Sequence, residues 1–375
     1  MLKYIHRRNT VPIIITLIAI IVLICIPNNF PQKIYENTER VSARVLSTDE
    51  SFVINNGLIK TGEQICQVEI LQGKFKGRAA QGSNRLSGSL EQDKIFSKGD
   101  KVLITIDYTG NDIRVVTLID HYRINYEIIL AVIFVVFLVG FSGIIGIKAI
   151  LSFIFTILAM WKILIPSFLC GYNPIVIGIV TTIILIVLII GLVYGIDKRS
   201  LAGIIGSVSG SIVTCFMALF FVSRFKIHGA VMSYSEMLLY SGYENLNLTD
   251  IFIASIFIAS AGAVMDVAVD ITSAVAEVVE KKPDITKAEA IKSGINVGRS
   301  IMGTMMTTLL LAYSGGYIGL LMVFMAQGTP IINILNLKYV SSEILHTLIG
   351  SFGLITVAPF TAIASGLLLA ETDKK

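Results

Sequence analysis

Residues 251–278 read IFIASIFIASAGAVMDVAVDITSAVAEV, and residues 295–325 read INVGRSIMGTMMTTLLLAYSGGYIGLLMVFM. Both stretches are apolar for most of their length, and their polar residues gather at the ends nearest to the connecting loop. The pattern predicts two helices that cross a membrane and turn back as a hairpin. Ionisable residues inside a bilayer are costly, so those on the hairpin are candidates for a functional site.

The polar side chains of the hairpin are expected to share one face of each helix. Asp266 and Asp270 are four residues apart, and a rise of ~1.5 Å per residue from Ile251 places Asp266 roughly 22 Å deep, near the inner edge of the apolar slab. Arg299 falls at a similar level, so an Asp266–Arg299 ion pair would remove most of the cost of burying either charge. The full candidate set is Asp266, Asp270, Ser273, Glu277, Asn296, Arg299, Ser300 and Thr304.

Two interpretations of this polar cluster stay open. The groups could line an inward-facing cavity that binds a cation, a proton or a charged substrate. They could instead form a structural ion pair that fixes the register of the two helices. Two carboxylates beside a single arginine leave a spare negative charge, which favours the cavity.

The composition places the whole chain in the membrane class. Of 375 residues, 54% are hydrophobic and 15% are charged, against about 25% charged residues in a typical soluble domain. The four cysteines are far apart and form no CxxC pair, which argues against zinc, haem attachment and a redox dithiol. No nucleotide-binding loop or catalytic signature occurs. The sequence therefore predicts no cofactor, no metal site and no enzyme.

Three segments are expected along the chain. Residues 1–27 form an N-terminal transmembrane anchor, residues 28–124 an extracytoplasmic β domain, and residues 125–375 a seven-helix transmembrane domain. The predicted spans of that last domain are 126–143, 147–169, 174–194, 201–222, 251–270, 298–321 and 344–369. The expected fold class is a membrane all-α bundle of about eight transmembrane helices with an inserted small all-β domain, an OB-like barrel.

The β domain alternates apolar and polar residues over 41–46, 64–71, 101–107 and 112–118, as half-buried strands do. Glycines separate these stretches and are interpreted as turns: Gly73, Gly77, Gly82, Gly88, Gly99 and Gly110. Five or six short strands favour an OB-type barrel, with a sandwich as the alternative. Acids and bases are nearly balanced and no aromatic series interleaves them, so no nucleic acid is expected. A solvated surface or a contact with an envelope protein is favoured.

Basic residues predict the topology. With a cytoplasmic N-terminus, the loops that contain Lys148, Lys198 and Lys281 all fall inside, as the positive-inside rule requires. Both termini are then cytoplasmic and residues 28–124 lie outside. Glycines four residues apart, such as Gly206 and Gly210, are typical of close helix packing in lipid. They favour packing within one bundle over a homo-oligomer interface.

The hairpin resembles that of the YibE/F-like family of bacterial polytopic membrane proteins. The resemblance rests on residues 262–268 (GAVMDVA), on Ser273 and Glu277, and on residues 293–299 (SGINVGR), 302–305 (MGTM) and 309–313 (LLLAY). The chain departs from the family pattern at Asp270, Ser300 and Thr307, which makes Asp270 a less secure site residue than Asp266. The resemblance implies a bacterial plasma membrane, the same three-part architecture and a permease-like character.

Two functions from different classes follow as expectations. The first is a transporter or permease in the lipid bilayer, with Asp266 and Arg299 at a polar site near the cytoplasmic side. The second is a non-transporting scaffold or accessory protein whose β domain binds an envelope partner. Charged groups shielded from lipid on the hairpin would favour transport.

Overall fold

A computed structural model describes residues 2–27 and 37–370 of the chain. These residues form two compact units, one within Phe30–Gly140 and the other within Met1–Asn29 and Phe141–Lys375. The first unit contains a β-barrel, and the second is a helical bundle. The boundary between them falls inside a helix that has no buried residue, Ile124–Ser142.

Five strands form the barrel: β1 Thr38–Asn56, β2 Ile59–Ile70, β3 Ala79–Ser87, β4 Lys101–Thr109 and β5 Asp112–His121. Their order is β1-β2-β3-β5-β4, and antiparallel pairing of β1 with β4 closes the barrel. The β3–β5 pair is parallel, whereas the other pairs are antiparallel. The closed barrel excludes the sandwich alternative. The four predicted strands lie within β1, β2, β4 and β5, and β3 was not predicted.

Strand β3 differs from the other strands in the residues that face the barrel interior. Its inward positions include Gly82 and Asn84. A side chain at position 82 would come within 2.7 Å of Leu118 Cδ1, so the interpretation of Gly82 as a turn was wrong: it is a strand residue in close contact with β5. The Asn84 amide nitrogen donates to Gln64 Oε1 over 3.1 Å. Gln64 itself exchanges hydrogen bonds with the backbone of Phe96, which fixes the segment before β4 over the barrel core.

Twelve α-helices occur in the described residues: α1 Leu2–Cys25, α2 Ile124–Ser142, α3 Ile144–Ala159, α4 Ile165–Leu169, α5 Pro174–Tyr194, α6 Lys198–Arg224, α7 Ser235–Tyr240, α8 Leu248–Lys281, α9 Lys287–Ser314, α10 Ile318–Ala326, α11 Ile331–Asn336 and α12 Lys338–Leu369. A π-helical turn over Met160–Leu164 joins α3 to α4, and a 3₁₀ turn over Gly315–Tyr317 joins α9 to α10.

Seven helical segments of the described chain are long and apolar enough to cross a membrane, and they coincide with the seven spans predicted after residue 125. Helix α3 continues through its π turn into α4, and α9 continues into α10, so each pair counts as one span. The apolar part of α1, Thr10–Cys25, is shorter than the roughly 20 residues that a bilayer requires. Helix α1 nevertheless packs on the bundle, since Ile20 and Leu23 join Phe155 and Leu185 in one apolar cluster.

Helix α8 is the central helix of the bundle, in contact with α5, α6, α9 and α12. Small residues allow the close approach: Gly206 of α6 lies directly against Thr361 of α12, and Gly298 of α9 lies against Ala358 and Ile271. Two of the predicted glycine pairs, Gly206 with Gly210 and Gly294 with Gly298, therefore pack within one chain. Such residues let helix backbones come close where lipid supplies no hydrophobic driving force.

Candidate functional site

One face of α8 is exposed along half of the helix. The residues on it are Gly262, Asp266, Asp270, Ser273 and Glu277, which we call the exposed stripe. Their spacing of three and four residues places them on a single face. The positions between them are mostly buried, among them Met265 and Ile271. Since Met265 packs with Ile186 and Ile190 of α5 and Ile271 packs toward α9, the exposed stripe lies between these two contact sides.

The contacts of α5 show how deep the exposed stripe lies. Helix α5 is an apolar helix bounded by Asn173 at its start and Gly195 at its end. The Tyr194 hydroxyl at its last residue donates to the Val269 carbonyl and lies 2.7 Å from Ser273 Oγ. Asp270 is therefore level with the end of the apolar span, and Asp266 lies one turn deeper, by ~6 Å.

Arg199 is the basic residue that the structure places beside this part of the stripe. It belongs to the first turn of α6, where the Asp197 carboxylate accepts from Arg199 N over 2.7 Å and lies 3.6 Å from the arginine Nε. Arg199 and Asp270 both lie near the Tyr194 side chain. Sequence reasoning did not identify Tyr194 or Arg199. The sequence feature that could have indicated them is Tyr194 at the end of an apolar run, followed by Gly195 and the charged residues 197–199.

Arg299 lies at the expected level and lacks the expected partner. Its neighbour Gly298 packs against Ile271, so Arg299 and Asp270 are at similar depth. However, no ion pair joins Asp266 to Arg299 in the part of the chain that the structure describes, and that prediction was wrong. The reason is geometric: the buried residues Gly298 and Ile271 occupy the α8–α9 contact, and the charged residues point away from it.

The other residues predicted on α9 are also exposed: Asn296, Ser300 and Thr304. They lie opposite Gly294 and Gly298, which face the bundle. Thr304 Oγ1 donates to the Ile301 carbonyl over 3.0 Å, so its hydroxyl is satisfied within its own helix. The structure thus separates the α9 set from the exposed stripe of α8.

Glu277, at the lower end of the exposed stripe, is bound locally. Its carboxylate lies 2.8 Å from Lys281 Nζ one turn further along α8. Beyond the helix end, Thr286 and Glu289 form a reciprocal capping box that starts α9, as the Thr-x-x-Glu spacing indicates. Glu277 therefore belongs to the end of the hairpin, about 10 Å from Asp270 along the helix axis.

The upper part of the stripe, with Tyr194 and Arg199, forms a polar surface with an excess of negative charge. Asp266 and Asp270 form no ion pair among the described residues, while Arg199 already pairs with Asp197. Two carboxylates without their own cation attract a cation or a proton. No cluster of three or more metal-ligating side chains occurs in residues 2–27 and 37–370.

Two family models match this chain. The model described as YibE/F-like protein matches residues 130–371, and the model described as YibE/F family N-terminal domain matches residues 33–121. Together they cover the helical bundle and the barrel. No curated protein and no solved structure matches the chain.

Proposed function

We propose that this chain, which belongs to the YibE/F-like family, is a permease that moves a small cation or a proton across the membrane. The substrate would pass through the groove formed by Asp266, Asp270 and Ser273 of α8 with Tyr194 and Arg199. The observation that carries the proposal is the upper part of the exposed stripe. Asp266 and Asp270 lie on one face of a central helix, and neither forms an ion pair within the described residues.

Energetics support a groove filled with water or substrate at Asp266. A charged side chain that faces acyl chains costs several kcal/mol, roughly 2.5–3.5 by insertion scales. Asp266 is exposed within a span whose other faces are packed against four helices. A cation that exchanges its hydration shell for carboxylate and hydroxyl oxygens would offset this cost while it passes.

The polar groups at the mouth of the groove support a path that opens at one membrane boundary. Tyr194 and Arg199 lie where α5 ends and α6 begins, level with Asp270. On the topology predicted from basic residues, this boundary is the cytoplasmic one, with both termini inside and the barrel outside a bacterial plasma membrane. We propose no catalytic residue and no cofactor for the chain.

The barrel supports a second candidate function, a scaffold or accessory protein that binds an envelope partner. Its strand order and its parallel β3–β5 pair support the OB type. Four large apolar residues are strongly exposed on it: Phe52 (65%), Ile54 (61%), Leu58 (86%) and Leu90 (71%). Contiguous exposed apolar side chains mark protein-interaction surfaces, so this patch is where a partner would bind.

A flux assay in proteoliposomes tests the permease. Wild-type protein, Asp266→Asn and Asp270→Asn are reconstituted at equal density, and proton movement is followed with an enclosed pH dye as gradients of Na⁺, K⁺, Mg²⁺ and H⁺ are imposed. We expect flux from the wild type and at least a tenfold loss in both variants. Asp284→Asn, an exposed residue between α8 and α9, serves as the matched control and should keep full flux.

Equal flux from wild type and the two stripe variants would refute the groove as the path. Absence of any flux from the wild type, together with capture of an envelope protein that depends on Phe52 and Leu58, would support the scaffold instead.

A further inference from the structure

A cavity of about 230 Å³ lies at the opposite end of the helical unit from the exposed stripe. Its walls come from the end of α9, the turn at Gly315–Tyr317, helix α10 and the first turns of α12. Leucines supply most of its surface, Leu310 on one side and Leu348 on the other among them. Its residues lie far along the bundle from Asp266, since α12 at His346 is level with Ser255, near the start of α8.

Glu343 is the ionisable residue in the wall of this cavity. It is half-buried, and within the described chain no lysine, arginine or histidine forms an ion pair with it. The Tyr317 side chain, also in the wall, interacts with the Glu343 carboxyl group. A carboxylate in apolar surroundings without a counter-charge is unfavourable, so this position favours the binding of either a proton or a cation.

The side chains behind Glu343 do not supply that charge. His346 uses Nε2 to contact Ser255 Oγ at 3.2 Å, and its ring packs 5.2 Å from that of Phe252. The Tyr313 ring packs on the other side of His346 at 5.6 Å. The Tyr313 hydroxyl is buried and has no hydrogen-bond partner among the described residues.

We propose that this cavity is a binding site for a small organic ammonium ion with an apolar substituent. The positive charge would lie against the Glu343 carboxylate and the Tyr317 ring, since ammonium ions are attracted both to carboxylates and to aromatic faces. The apolar substituent would lie against Leu310 and Leu348. An anion is excluded by the carboxylate, and a neutral ligand would leave Glu343 desolvated without a counter-charge.

The size of the cavity limits the ligand. Pockets for drug-sized molecules have volumes of roughly 300–1,000 Å³, so this cavity suits one ring or a short branched chain. Leu310 and Leu348 are both half-exposed at the bundle surface, at 50% and 57%. A ligand therefore reaches Glu343 from outside the bundle, and the groove of the exposed stripe takes no part.

Calorimetric titration of the full-length protein in dodecyl maltoside micelles, which contain no ammonium group, tests the site. The probe is benzyltrimethylammonium, and its uncharged carbon isostere neopentylbenzene serves as the matched ligand. We expect the cation to bind the wild type at least tenfold more tightly than its isostere, because only the cation is attracted to the carboxylate and the aromatic ring; a tenfold difference corresponds to about 1.4 kcal/mol. Glu343→Gln should remove this difference, whereas Glu236→Gln, an exposed glutamate of α7, should retain it.

A second variant tests the site independently, in case Glu343→Gln does not fold. Leu310→Trp keeps the carboxylate and fills the cavity from α9, so it should weaken binding of both ligands. The proposal is overturned if the wild type does not bind the cation, if both ligands bind equally, or if Glu343→Gln and Leu310→Trp leave cation binding unchanged.

Discussion

Replacing Gly206 by alanine tests the packing at the centre of the bundle. The added methyl carbon would overlap Thr361 Oγ1 and lie 2.8 Å from Thr361 Cβ and 2.9 Å from its Cα. A rotamer change moves Oγ1 and Cγ2 but leaves Cβ and Cα in place, so α6 and α12 must separate by several tenths of an ångström to restore contacts of about 3.5–4.0 Å. Overpacking of this kind costs typically 1–3 kcal/mol, and we expect about 2–3 kcal/mol because backbone atoms are involved.

The assay is unfolding of the detergent-solubilised chain with increasing sodium dodecyl sulfate. Gly191→Ala is the control, since no atom lies within 4 Å of the added carbon and alanine is favoured over glycine in helices by roughly 0.5–1 kcal/mol. Gly206→Ala should also be measured in a chain that carries Thr361→Gly. In that background, Gly206→Ala should reduce the free energy of unfolding by at least 1 kcal/mol less than it does in the wild type, as expected for residues in direct contact. Equal stability of Gly206→Ala and Gly191→Ala would refute the α6–α12 contact.

Three further predictions concern the barrel. Burial, with a smaller contribution from Glu50, raises the pKa of the Cys66 thiol to about 11, so iodoacetamide at pH 8 should leave Cys66 unmodified until the barrel unfolds. Backbone hydrogen bonds, the largest from Ser87, lower the pKa of Asp93. Asp93→Asn should therefore increase the rate of amide hydrogen exchange at residues 87–89. In the wild type, the protection of these amides from exchange should be lost as pH falls below about 3.9 toward the lowered pKa. Gln64→Leu leaves two buried backbone groups of Phe96 without partners and should cost about 2–4 kcal/mol, at about 1–3 kcal/mol for each group.

Each barrel prediction has its own contrary outcome. Rapid alkylation of Cys66 in the folded chain would show that the thiol is accessible. Unchanged exchange at residues 87–89 in Asp93→Asn would show that the carboxylate does not hold that turn. Gln67→Leu, on the exposed side of the same strand, is the control for Gln64→Leu, and equal stability of the two would contradict the buried network.

The membrane spans could be predicted because their signal is simple. A run of about 20 apolar residues is readily explained only by a transmembrane helix. The seven runs after residue 125 all correspond to helices. Helix ends were less accurate. The predicted span 251–270 lies within a helix that runs from Leu248 to Lys281, because a helix does not end where its sequence becomes polar.

Strand β3 shows why part of the barrel was missed. Its inward positions include a glycine and the amide residue Asn84, so the apolar alternation that identifies a half-buried strand is absent. The stability of β3 comes from close contact with β5 at Gly82 and from the hydrogen bond between Asn84 and Gln64. Both interactions involve residues that are distant in the sequence, so they cannot be predicted from the residues of β3 alone.

The sequence could predict which residues of the candidate site share a helix face, but not which side chains of other helices lie beside them. The three- and four-residue spacing placed Asp266, Asp270 and Ser273 on one face of α8, as the structure has them. The sequence paired Asp266 with Arg299 because both belong to the hairpin. Which helix packs beside the stripe is a tertiary property, and the structure places Tyr194 and Arg199 there.

The most direct test of the central claim is the water accessibility of position 266. The four native cysteines, Cys25, Cys66, Cys170 and Cys215, are replaced by alanine, and Asp266→Cys is reacted with a charged, water-soluble methanethiosulfonate. Ile205→Cys is the control, because Ile205 is exposed on α6 at a similar depth and lies on an apolar surface. We predict that position 266 reacts at least tenfold faster than position 205. Equally slow reaction at both positions would mean that Asp266 faces lipid and that the groove does not exist.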